Sequence, residues 1–371
     1  MKILVINFEY PPVGGGASPT SEEITKELYK QGHQVTVVTM AWGALPLFED
    51  RNGILIHRIP SGRKLPNMSR LKEHIRFLIN GRKFLKQHLA RHTYDIIHSH
   101  FIISSGFLAL WVKNKYGIPY VITPHGSDLP GYNPDHFKLM HQFTPPFIKR
   151  ILRGAEKVTF TSSYHKSLSA PYIEERKTEV IPSGIRISTG NTTNKKNIIL
   201  TTGRLLRRKG FHTLIQSVYD ESINYEVHIA GDGPMMDELK QMAQGSQTPI
   251  IFHGWLDNKS DEYRQLLAEA SIYCLVSSFE NAPVSLLEAM AYGCAIITSD
   301  GTGCAEMVED SGLLVPSDNP EALKKSIKEL VLDQSLIVQY GKRAQKRVQN
   351  KFSWTVIGHQ YENILREACK K

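Results

Sequence analysis

Ile272-Tyr273-Cys274-Leu275-Val276-Ser277-Ser278-Phe279-Glu280-Asn281-Ala282-Pro283-Val284-Ser285-Leu286-Leu287-Glu288-Ala289-Met290-Ala291-Tyr292-Gly293-Cys294-Ala295-Ile296-Ile297-Thr298-Ser299 settles the architecture of this chain. Ile272 to Val276 is an apolar strand, and Glu280 sits in the loop that follows it. A helix starts near Val284, with Leu286, Leu287, Met290 and Ala291 as its apolar side and Gly293 as a C-terminal cap. Ala295 to Ser299 is then a second buried strand. Strand, acidic loop, helix and strand make a βαβ unit, and such sheets bind ligands beyond the carboxyl ends of their strands. Glu280 occupies that position. Seven residues lie between it and Glu288 on the helix. Two carboxylates on one rim can grip hydroxyls at both ends of a polyhydroxylated ligand through charge-assisted hydrogen bonds. By spacing alone the pair is a weak motif, and a capping or solvated acid is the bland alternative.

The same alternation extends in both directions. The first half predicts strands at Lys2 to Asn7, Val35 to Met40, Ile54 to Ile59, Ile96 to Ser99, Tyr120 to Thr123, Lys157 to Thr161 and Val180-Ile181, with a helix at Ser21 to Lys30. Short β-branched runs divided by helical stretches predict a parallel sheet covered on both faces. Arg186 to Lys196 is polar and reads as a linker. The pattern restarts at Asn197 to Thr202, Val227 to Ala230 and Ile250 to His253, and ends at Leu313 to Val315. The expected fold is α/β with two doubly wound, Rossmann-like domains, 1–185 and 186–354, facing across a cleft. Phe352, Trp354, Ile357, Tyr361 and Ile364 predict a helix over about 355–371 that crosses back onto the first domain.

A length of 371 residues fits two domains, and 41% apolar with 22% charged residues is a globular composition. No run approaches the roughly 20 apolar residues that span a bilayer, and the short run Ile3 to Ile6 is a strand and not a signal segment. Cys274, Cys294, Cys304 and Cys369 have no C-x-x-C spacing and read as reduced residues of a cytoplasmic protein. The net charge of +9 asks for a partner. Arg63, Lys64, Arg70, Lys72, Arg76, Arg82, Lys83, Lys86 and Arg91 face only Glu73, while Leu71, Ile75, Leu78, Leu85 and Leu89 recur at helical spacing. Segment 70–91 therefore predicts a basic amphipathic helix. Its cations are either a solvated face or a contact for anionic lipid at the inner face of the membrane. Nucleic acid is not expected, because no reader motif appears.

Gly203-Arg204 to Lys209-Gly210 follows a strand. Arg204 and Lys209 on a glycine-flanked loop suit a diphosphate, one as a fork and one as a point charge. Gly231-Asp232-Gly233-Pro234 turns into a helix near Met235, where glycines admit a flat base or a phosphate. With Pro11-Pro12-Val13-Gly14-Gly15-Gly16, Thr123-Pro124-His125-Gly126-Ser127-Asp128, Phe279 to Ala291 and Phe352-Ser353-Trp354, nearly the whole chain resembles the retaining GT-B glycosyltransferases of family four. The resemblance implies that Arg204 and Lys209 hold the donor diphosphate, Glu288 the ribose hydroxyls, and Glu280 the donor sugar. It places Gly14, Gly15 and Gly16 over the donor from the acceptor side, with His125 facing the sugar there. Glu280, His125, Arg204 and Lys209 are the catalytic candidates; Gly231, Gly233, Pro234, Asn281, Ala282 and Val284 complete the donor contacts. Asp128 is an acceptor-side candidate whose setting also fits simple turn chemistry. His98 and His100 either line the acceptor pocket or cap the sheet. Pro283 departs from the pattern, because proline lacks the N–H that family members offer to the sugar.

The expected reaction is transfer of a hexose from a UDP- or GDP-sugar to a glycan or lipid-linked acceptor, in lipopolysaccharide or other surface polysaccharide assembly. No cofactor or metal is expected, since no Asp, His or Cys cluster has ligand spacing. A nicotinamide dehydrogenase is rejected: Gly14-Gly15-Gly16-Ala17-Ser18-Pro19 lacks the G-x-G-x-x-G spacing and no acid ends the strand at Met40. A sugar-nucleotide epimerase and a catalytically dead binding protein are the remaining alternatives.

Overall fold

In a computed structural model, which describes residues 1–131, 142–186 and 194–370, the β-branched runs become two separate sheets. One compact unit holds Met1–Ser183 and the C-terminal helix Trp354–Cys369; the other holds Gly184–Ser353.

The first unit's strands are β1 (Lys2–Ile6), β2 (Gln34–Trp42), β3 (Phe48–Arg51), β4 (Ile54–Arg63), β5 (Ile96–His100), β6 (Tyr120–Thr123), β7 (Lys157–Phe160) and β8 (Thr178–Val180). They lie in the order β3-β4-β2-β1-β5-β6-β7-β8. Alternation along β1 sends Leu4 and Ile6 into one core layer and Ile3 and Val5 into the other. All pairs are parallel except β3 with β4, an edge hairpin absent from the sequence reading. Phe48-Glu49-Asp50-Arg51 shows no apolar alternation, yet Asn52-Gly53 behind it, at φ 53° and 87°, is a hairpin turn that only such residues form easily. Helix Ala17–Lys30 also starts four residues before the expected Ser21, directly after the glycine run.

Helix Trp354–Cys369 packs on helix Ala17–Lys30, β5 and β6, with Ile357, Tyr361, Leu365 and Ala368 in the core layer opposite helix Leu71–His88. Burial of each large aliphatic side chain contributes about 1.5–3 kcal/mol, enough to hold a polar-flanked helix in place.

The second unit contains β9 (Lys196–Thr202), β10 (Glu226–Ala230), β11 (Ile250–Gly254), β12 (Ala270–Leu275), β13 (Ala295–Ser299) and β14 (Gly312–Val315), all parallel in the order β11-β10-β9-β12-β13-β14. Apolar layers cover both faces, one built on Leu200 and Tyr273 and one on Ile199 and Ile272. Cys274, Cys294 and Cys304 are free thiols inside these layers.

Candidate active site

In the second sheet the chain runs outward from β9 to β11, then returns to the other side of β9 as β12. The carboxyl ends of β9 and β12 flank this reversal, the position where doubly wound sheets take ligands. A cavity of about 570 Å³ opens there, lined by Gly203, Arg204, Gly231, Gly233, Val284 and Glu288 among the expected residues. Two glycines are needed to shape it. A Cβ on Gly231, at φ 156°, would stand 1.8 Å from the Gly203 carbonyl oxygen, and one on Gly233 would stand 2.6 Å from that of Leu205. The β9 and β10 loops can therefore cross in contact, tied by Leu205 N–H to the Asp232 carbonyl at 2.9 Å.

Arg204 is exposed and, among the described residues, pairs with no acid. Glu288 is placed inward by helix Val284–Ala291, and its Oε2 accepts from the Tyr263 hydroxyl at 2.7 Å. Burial raises the Glu288 carboxyl above its ordinary range, and the Tyr263 hydrogen bond pulls it partway back. Tyr263, Trp255, Leu256 and Asn258 also line the cavity and escaped the sequence reading. Trp255 alone carried a signal, an aromatic just past a strand end; it is 72% exposed.

Lys209 and Glu280 lie outside that lining and form an ion pair with each other, reinforced by Ser277 Oγ at 3.4 Å from Glu280 Oε1. The Lys209 loop is pressed onto the end of β12: a Cβ on Gly210 would lie 2.3 Å from the Val276 carbonyl oxygen. Pro234, Asn281 and Ala282 are likewise outside the lining. Pro283 is the residue before the helix, extended at φ −70° and ψ 125°, where a missing N–H costs no helical bond.

In the first unit, His100 and His98 are completely buried, so His100 cannot touch an acceptor directly. Its Nδ1 stands 3.0 Å from His125 Nε2, and His98 Nε2 stands 2.9 Å from Thr123 Oγ1. His100 thus reaches a ligand only through His125, a correction to its reading as an acceptor contact. Burial lowers the His125 imidazole to about 3 and holds His100 well below its usual range, so both are neutral at pH 7. Asp128 Oδ2 accepts from the His125 and Ile102 N–H groups at 3.0 and 3.2 Å. That is the turn chemistry foreseen, and burial nonetheless pushes its carboxyl up to about 7.

The glycine run is anchored by residues the sequence reading left out of the site. Gly15 N–H donates to Glu9 Oε2 at 3.1 Å, Arg63 Nη2 pairs with Glu9 Oε1 at 3.2 Å, and Gly14 N–H donates to the Pro66 carbonyl at 2.7 Å. Arg63 is buried, and so does not belong to the solvated basic face assigned to it. Of the three glycines only Gly14 needs to be one, at φ 118° with Glu9 and Ser18 2.7 Å from any Cβ. Among the described residues no three His, Cys, Asp or Glu side chains are grouped to hold a metal ion.

Two Rossmann-like units, one with a cationic and carboxylate-lined cavity at its strand reversal, are the frame of a GT-B glycosyltransferase. Residues 187–347 match the family described as glycosyl transferases group 1, and residues 14–189 match glycosyltransferase family 4. The chain belongs to the group 1 glycosyltransferases and has the GT-B fold. The uncharacterized glycosyltransferase MJ1607 of Methanocaldococcus jannaschii is 26% identical, over 100% of this chain and 99% of its own. The lipopolysaccharide core biosynthesis glycosyltransferase LpsE of Rhizobium meliloti is 29% identical over 45% of this chain and 49% of its own. Anabaena Alr3699/HepE, solved in complex with UDP, superposes with a TM-score of 0.73 at 19% identity, over 99% of this chain and 100% of that one.

Proposed function

We propose that this glycosyltransferase moves a hexose from a UDP- or GDP-sugar to a hydroxyl of a glycan or lipid-linked acceptor, with retention at the anomeric carbon. One observation carries the reading: an exposed guanidinium that pairs with no acid among the described residues and a half-buried carboxylate line the same cavity at the strand reversal. A nucleoside diphosphate has the matching pair of groups, an anion and a vicinal diol. Arg204 takes the diphosphate and Glu288 accepts from the ribose hydroxyls, while Trp255 offers a ring face for the base. Lys209 exchanges its Glu280 partner for phosphate, which frees Glu280 for the sugar hydroxyls. The UDP complex of Anabaena HepE supports a uridine donor, and the role of the Rhizobium relative supports a lipopolysaccharide or kindred surface glycan as acceptor.

In the step itself the bond from the anomeric carbon to the phosphate oxygen breaks. The acceptor oxygen bonds that carbon on the same face, and its proton passes to the leaving phosphate. Arg204 and Lys209 neutralise the departing charge, so no metal is required for that task. His125, held by His100, and Asp128 serve the acceptor side, and the basic helix Leu71–His88 brings the enzyme to the inner membrane face in the cytoplasm.

Thermal-shift screening against UDP-, GDP- and ADP-sugars tests the donor, because a ligand bound only by the native state raises the melting temperature. Arg204→Ala should lower turnover about 100-fold without lowering the melting temperature of the free enzyme. NMR of the product's anomeric proton reads the stereochemistry. Absence of any shift, or formation of a new sugar nucleotide without acceptor, would overturn the proposal; the latter outcome is an epimerase's.

A further inference from the structure

Helices Leu71–His88, Ser105–Tyr116 and Pro145–Gly154 cover one face of the first unit's sheet, and Phe77, Leu85, Leu108, Ile148 and Ile151 place them in a single core layer. Together they carry ten Lys and Arg residues and one acid, Glu73. Their surplus, 10 − 1 = +9, equals the net charge of the whole chain, so the remainder of the sequence sums to zero. The lone acid does not dilute the field at the surface. Glu73 is 1% exposed and accepts from the Arg70 N–H at 2.8 Å.

The apolar residues of this layer are not all inward. The inward stripe of the first helix is Phe77, Gly81 and Leu85, whereas Leu71, Ile75 and Ile79, spaced by four, are 74%, 48% and 63% exposed. This corrects the helical-spacing reading, in which Leu71 and Ile75 share one apolar face with Leu78, Leu85 and Leu89. Phe143 and Phe147, beside or within the third helix, are 69% and 49% exposed. Large apolar side chains left in water among cations, with no exposed acid on the three helices themselves, suit one kind of neighbour: a surface with negative headgroups above and hydrocarbon below. No helix among the described residues is long and apolar enough to cross a membrane, so such a surface would be met from outside.

We propose that this three-helix layer seats the protein on an anionic lipid surface, with Leu71, Ile75, Ile79, Phe143 and Phe147 entering the headgroup boundary and the cations around them pairing with lipid phosphates. The inference deepens the lipid-linked acceptor reading, but it stands on its own measurement. In flotation with phosphatidylcholine vesicles containing phosphatidylglycerol, the full chain should rise with the lipid at physiological salt. It should stay down with phosphatidylcholine alone. Lys83→Glu/Lys86→Glu should cut lipid partitioning about tenfold or more, since each basic residue near an anionic surface is worth about 1 kcal/mol. Ile75→Ser/Ile79→Ser should weaken it at high salt as well, where charge is screened.

Wild-type protein that ignores anionic vesicles, binds neutral ones as well, or floats undiminished in both variants overturns the proposal. So does sedimentation that finds a dimer dissolved by Ile75→Ser/Ile79→Ser without lipid binding, which would make the face a self-association surface. A UDP thermal shift on the same samples reads the donor cavity alone. Vesicle binding with no shift from UDP or from GDP would condemn the proposed donor reading and leave this one intact.

Discussion

Tyr263→Phe tests the donor cavity most directly, because it removes one hydroxyl and no packing volume. That hydroxyl donates to Glu288 Oε2 at 2.7 Å and opposes the burial that already raises the Glu288 carboxyl. A hydrogen bond to a charged group is worth about 1.5–3 kcal/mol, or about 10- to 150-fold. If ribose binding needs ionised Glu288, donor affinity should climb as pH rises through the Glu288 pKa, and the variant's climb should begin at higher pH. On the acid side the variant should bind UDP weaker by that factor; on the alkaline side the two proteins should converge. The sign for stability is opposite. A carboxyl raised in the folded state makes the protein less stable as pH rises from its unfolded to its folded pKa, because only the unfolded chain has by then released the proton. Calorimetric titration of UDP across the pH range, with melting temperatures as a control, measures both. A loss equal at every pH would show Tyr263 to be merely structural, and no loss at all would refute the assignment of Glu288.

Gly231→Ala forces a Cβ to within 1.8 Å of the Gly203 carbonyl at φ 156°, so it should cost about 1–3 kcal/mol or more in a denaturant titration and weaken nucleotide binding with it. Arg63→Met should destabilise the protein by about 3–5 kcal/mol, since Glu9 is left buried and unpaired, and adding Glu9→Gln should restore part of the loss. His98, His125 and His165 are depressed to about 3, 3 and 4 from 6.5, so the unfolded chain binds protons first. Urea midpoints should therefore fall steadily as pH drops from about 6.5 towards 3, with Asp128, raised to about 7, working in the opposite direction. A midpoint independent of pH in that range would show these histidines to be solvated.

Much of the fold and part of the site were legible because they depend on local chemistry. Runs such as Ile272 to Leu275 and Ala295 to Ser299 must be strands in any packed form of this chain, and Glu280, Arg204 and Gly231 follow strands whose ends are ligand positions by topology. What failed to show was set by neighbours distant in sequence. Leu71 and Ile75 share helical spacing with Leu78 and Leu85, and only the packing of Phe77 and Gly81 on the sheet turns the first pair outward. Arg63 counts as one more cation until Glu9, 54 residues away, takes it into the core. Tyr263 is an ordinary helical tyrosine until the β9 and β12 ends converge and bring Glu288 within 2.7 Å. The sequence by itself determined the elements, their order and the charged groups at their ends, since period and turn chemistry act over a few residues. Only the tertiary structure decided which charges are paired, which apolar side chains stay in water and how each carboxyl titrates, because burial and Coulomb energy depend on what the fold brings close.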